Sequence, residues 1–191
     1  MLIRKLSLAV NLLVAVAVLA AWGKMVFAID ERGTLTAPGL SSLKYFTVLS
    51  NLLACAASLA YAACLIRLLT GGAPVPYGVT LLKYAGAVSV TLTLLTVVLF
   101  LGPTAKEGFL IMFQGANLWF HLIVPLLCIL DFCALNPDGP LPFAASLVAC
   151  VPMALYSAYY LGNILANGVK SVCGVICKRS LFHEVVNGER T

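Results

Sequence analysis

Charge is what this chain has least of. Of its 191 residues, 10% are Asp, Glu, Lys or Arg and 62% are apolar. A water-soluble domain carries about 25% charged and about 45–50% apolar residues, so this scarcity excludes a soluble globular fold. Histidine and tryptophan each occur only twice. There is no Gly-x-Ser-x-Gly elbow, no His-Glu-x-x-His helix and no phosphate-cradling glycine loop. Those absences remove the nucleophile-elbow, zinc-helix and P-loop routes to catalysis. There is no internal repeat and no low-complexity tract. The net charge of +5 does not point to nucleic acid, because the basic residues are scattered at the ends of apolar segments. In those places they mark topology and snorkel to the headgroups.

Long apolar runs are what the chain has in abundance, with a mean hydropathy of +1.03. They cover residues 6–28, 43–68, 79–101 and 141–163, with a further run inside 109–134. Gly71-Gly72-Ala73-Pro74-Val75-Pro76, Gly102-Pro103 and Asn136-Pro137-Asp138-Gly139-Pro140 separate several of them, as turn and breaker residues do. Each run approaches the roughly 20 apolar residues of a bilayer-crossing helix. The runs are continuous rather than alternating, which favours helices over an outer-membrane barrel. The chain thus reads as an all-α, polytopic transmembrane bundle of five spans. Residues 1–163 are expected to form one transmembrane domain. Residues 164–191 read as a tail holding an interfacial or re-entrant helix, or a degraded sixth span. The first run follows Arg4 and Lys5, as in a signal peptide, but exceeds the usual apolar core of about 7–15 residues. It reads as a retained span. The expected surroundings are the lipid bilayer, in the cytoplasmic membrane of a bacterium.

Seven cysteines make an odd count, and most lie within apolar runs, where thiols behave as small hydrophobes. Only Cys173 and Cys177 have a motif-like spacing. They are half of a tetrahedral zinc site, and neither His183 nor Glu184 completes a pattern. No metal or organic cofactor is expected.

Function must then rest on polar residues inside the spans. In the second span Thr47, Ser50 and Asn51 stand at i, i+3 and i+4, on one helical face. In the fourth, Gln114, Asn117 and His121 recur at i, i+3 and i+7, and Pro125 follows one turn later. In the fifth, Tyr156, Tyr160, Asn163 and Asn167 make another stripe. Hydroxyls, amides and small residues commonly glue transmembrane helices together, which accounts for Ser58 and for Thr91, Thr93 and Thr96. Asp131 sits near a helix end and reads as a headgroup-level carboxylate. His121 is different. Even neutral, an imidazole has one donor and one acceptor that both want partners, and hydrocarbon supplies neither.

Thr47 and His121 together suggest a nucleophile and a base. A threonine hydroxyl becomes nucleophilic when a base about 3 Å away takes its proton. Histidine can do so and then protonate the leaving alcohol. Asn51 or Asn117 can donate to the developing oxyanion. Ser50 would line the same substrate-binding face, and a fatty acyl ester is the natural substrate inside a bilayer. Depth is the obstacle. At 1.5 Å per residue, Thr47 lies about 6 Å into its run and His121 about 18 Å into a run starting at 109. The two meet if residues 108–115 stay in the interface or the fourth helix tilts.

Lys44-Tyr45-Phe46-Thr47 and Asn117-Leu118-Trp119-Phe120-His121, followed by Pro125 and Asp131, resemble the androgen-induced membrane threonine hydrolases and their bacterial integral membrane relatives. The resemblance implies hydrolysis of fatty acid esters of hydroxy fatty acids, with Thr47 as nucleophile and His121 as base. A rival reading is a non-enzymatic membrane protein, such as a small-molecule or proton-coupled carrier or a complex subunit. Its polar stripes would line a passage and His121 would relay protons. No inverted repeat or paired broken helices of the transporter kind support that rival.

Overall fold

The computed structural model describes residues 1–27, 29, 39–105, 108–135 and 141–167. Among them, five helices are long and apolar enough to cross a membrane: α1 (Leu2–Val26), α2 (Phe46–Leu69), α3 (Tyr77–Thr104), α4 (Ala116–Ala134) and α5 (Ala145–Asn167). The protein is an all-helical integral membrane protein. Lipid offers a peptide group no hydrogen bond, so each apolar run satisfies its own backbone by coiling. The chain divides into two units, Met1–Pro152 and Met153–Thr191. Cys173, Cys177 and the proposed tail helix lie outside the described residues.

The first four helices form a closed ring of neighbours: α1 on α2, α2 on α3, α3 on α4, and α4 back on α1. Each helix turns a seam inward at alternating three- and four-residue steps. On α1 the seam is Ser7, Asn11, Val14, Val18, Ala21 and Met25, all buried. On α4 it runs through Asn117, Val124, Cys128 and Asp131. Such seams are how nearly antiparallel helices interlock.

Small residues set the closest approach. A Cβ on Gly86 of α3 would stand 3.1 Å from the Cα of Ala54 on α2. Backbone cannot swing aside as a side-chain tip can. Gly86→Val is therefore expected to push α2 and α3 apart and cost about 1–3 kcal/mol, read as a lowered unfolding temperature in detergent.

Residues 108–115 do not belong to the fourth helix. Phe109–Phe113 is a short 3₁₀ helix, bracketed by Gly108 at φ +93° and Gly115 at φ +57°. Glycine alone enters such left-handed conformations cheaply. The short helix packs against irregular turns of both α3 and α4 and buries Ile111 and Met112 beside Val97. The spanning helix starts at Ala116.

Candidate functional site

That late start brings His121 into register with α2. His121 is five residues past Ala116, and Asn51 is five past Phe46, so both lie about 7.5 Å into their helices. Around His121 the helix widens into a π turn, Trp119–Ile123. The Val124 N–H reaches back five residues to the Trp119 carbonyl. In that register the Phe120 carbonyl would take its proton from residue 125, which is proline and has none. Asn51 fills the gap, its Nδ2 donating to the Phe120 carbonyl at 3.2 Å.

The same Asn51 Nδ2 donates to the Thr47 carbonyl at 2.7 Å. One amide thus bridges the first turn of α2 and the residue preceding His121. Both amide hydrogens of Asn51 are used in this arrangement. Its Oδ1 is buried with no hydrogen-bond partner among the described residues.

His121 itself is 7% exposed. Its Nδ1 lies 2.6 Å from the Met112 carbonyl, one of the last carbonyls of the 3₁₀ helix, where a helix end leaves acceptors unfilled. A carbonyl only accepts, so Nδ1 must carry the proton. In the neutral ring the lone pair then sits on Nε2, free of protein donors among the described residues.

The other sequence-derived candidates are placed unevenly. Thr47 is half-buried, and no hydrogen bond joins its hydroxyl to His121 among the described residues. Ser50 faces α3 instead, its hydroxyl 3.0 Å from the Thr93 hydroxyl and also donating to the Thr47 carbonyl. That is the helix-gluing role expected of Thr93. Asn117 is buried one helical turn before His121. Within the stripe on α5, the Tyr156 ring lies 6.0 Å from the Tyr160 ring, and the side chain of Asn167 falls outside the described residues.

Asp131 requires a correction. It is 2% exposed, turned into the bundle and not solvated. Its Oδ1 accepts from the Ser7 hydroxyl at 2.6 Å, and its Oδ2 accepts from Asn11 Nδ2 at 2.7 Å. Lys83 Nζ stands 2.6 Å from the same Oδ2, with the Tyr61 ring centroid 3.7 Å away on its other side. The carboxylate thus accepts two hydrogen bonds and faces one ammonium, which rests on a ring face. Sequence reading missed Ser7, Asn11 and Lys83 altogether. The available signal was their position: each lies on an inward seam, with Ser7 and Asn11 one turn apart and Lys83 one turn before Ala87.

This second cluster lies ten residues along α4 from His121, about 15 Å away. A cavity beside it is lined by Asn11, Ser58, Lys83, Cys128 and Asp131 together with small apolar residues; neither Thr47 nor His121 lines it. Among the described residues, no three His, Cys, Asp or Glu side chains gather as metal ligands. Comparison with known families, characterised proteins and solved structures gave no match.

Proposed function

We propose that the protein is a membrane-embedded hydrolase of lipid esters, with Thr47 as nucleophile and His121 as general base, working in a bacterial cytoplasmic membrane. The observation that carries this reading is the 2.6 Å bond between His121 Nδ1 and the Met112 carbonyl. It orients the ring and leaves Nε2 as the proton acceptor, the state a base must be in before reaction. The Asn51 bridge supports it by holding the Thr47 turn against the Phe120–His121 segment. The half-buried position of Thr47 suits an acyl chain arriving sideways from lipid. The resemblance of the two segments to membrane threonine hydrolases agrees with this assignment.

In this mechanism Nε2 takes the Thr47 hydroxyl proton as the oxygen attacks the ester carbonyl. The imidazolium then protonates the departing alcohol. Water, deprotonated by the same ring, releases the acid from the threonine ester. Asn51 acts as a positioning residue, since its amide hydrogens are engaged, and Asn117 is the candidate oxyanion donor.

A fluorophosphonate probe tests the nucleophile directly. The wild-type protein should be labelled in detergent, and Thr47→Ala should not. Equal labelling of both would reject Thr47.

A further inference from the structure

Asn51 holds one atom that the hydrolysis chemistry does not yet use. The residue is fully buried, and its Oδ1 has no hydrogen-bond partner among the described residues. An acceptor buried without a donor is costly, so this one points to a donor that arrives with the reaction. The amide cannot turn over to relieve it. Its Nδ2 donates to the Thr47 carbonyl at 2.7 Å and to the Phe120 carbonyl at 3.2 Å. A turned amide would set its oxygen against both of those acceptors. The orphan oxygen therefore belongs to an amide held between the turn that carries Thr47 and the residue preceding His121.

Two kinds of nucleophile can empty a threonine ester, water and an alcohol. Each gives one O–H hydrogen to a base as its oxygen attacks. Water has a second hydrogen on that oxygen, where an alcohol has carbon. We propose that Asn51 Oδ1 accepts the second hydrogen of the deacylating water, which makes Asn51 the residue that favours hydrolysis over acyl transfer to an alcohol. This inference rests on the hydrolase reading. In the step, the water oxygen bonds to the acyl carbon and one of its hydrogens passes to His121 Nε2. The other stays on the oxygen, held by Oδ1. The tetrahedral adduct then expels the Thr47 oxygen, which takes the proton back from the ring. The products are the free fatty acid and the restored hydroxyl. An alcohol attacking along the same line sets its alkyl carbon against Oδ1 and leaves that atom unpaired through the transition state. The penalty thus falls on alcohols and not on water.

Methanol competition with the full chain in detergent tests this. A lipid ester is turned over in the presence of methanol, and methyl ester and free acid are both measured. Their ratio is set after the acyl-enzyme has formed, so a variant that only misplaces Thr47 or His121 lowers both products together. Asn51→Leu should raise the ratio of methyl ester to acid by about tenfold over wild type, the factor that roughly one hydrogen bond supplies. A ratio equal to or below that of wild type would overturn the proposal. Asn51→Leu also strips the Phe120 carbonyl of its donor. Should that variant not accumulate, Asn51→Leu/Pro125→Ala returns a backbone N–H at residue 125 for that carbonyl, with Pro125→Ala as its reference. The same rise is expected there, and its absence refutes the proposal. Wild type that forms neither product would remove the hydrolase reading and this inference with it. Acid from wild type, with the ratio unmoved in the variants, would remove this inference alone.

Discussion

Lys83→Met, made alone, is expected to destabilise the bundle by about 3–5 kcal/mol, the usual cost of stranding one member of a buried ion pair. Asp131 would keep its bonds from Ser7 and Asn11 but lose the only full positive charge beside it among the described residues. Asp131→Leu alone strands the ammonium between an apolar side chain and the Tyr61 ring. The double variant Lys83→Met/Asp131→Leu removes both charges while roughly keeping volume, and should recover most of the loss. Thermal unfolding in detergent of the two singles and the double gives the coupling directly. If the singles match wild type, the pair is not buried as described. If the double is as poor as the worse single, the loss comes from packing and not from charge.

His121→Ala is expected to lower lipid-ester turnover by about 10²–10⁴-fold, the range a positioned general base supplies. Thr47→Ala should leave no acyl-enzyme at all. Thr47→Ser keeps a hydroxyl at the same position and should retain a measurable fraction of activity. Asn51→Leu separates positioning from chemistry: it keeps both reacting side chains but removes the amide that bridges the Thr47 and Phe120 carbonyls. It should therefore depress turnover without abolishing probe labelling of Thr47. Wild-type turnover of an ester substrate by both His121→Ala and Thr47→Ala would refute the hydrolase reading.

How much could be read beforehand varied with the kind of residue. The five spans follow from run length and continuity, and each boundary differs from its helix by a few residues, as at Phe46 against residue 43. The fourth span is the exception. Phe109–Phe113 is as apolar as any helix in the chain, yet it folds as a separate 3₁₀ turn, because Gly108 and Gly115 both adopt positive φ. Composition registers the apolar residues and not the backbone break. Once that break is known, the gap in depth between His121 and Thr47 falls from about 12 Å to about 6 Å, and Asn51 is the residue of α2 level with His121.

Asp131 shows the opposite failure. Its place near the end of α4 suggested a headgroup, and a strict three-and-four count from Asn117 would have turned it inward. In water, periodicity separates core from surface by polarity. In lipid both faces of a helix are apolar, and only small or polar residues mark the inside. Ser7 and Asn11 at the polar end of the α1 seam were that mark.

Sequence alone settled that this chain crosses a membrane as helices, because about 20 consecutive apolar residues have no other stable way to satisfy their backbone in hydrocarbon. It also singled out His121, as an imidazole cannot sit in lipid without partners. The choice of partners belonged to the tertiary structure. Met112, Asn51 and Phe120 come together, as do Ser7, Asn11, Lys83 and Asp131, because four separate helices close into one ring and bring inward seams from distant parts of the chain within hydrogen-bond reach.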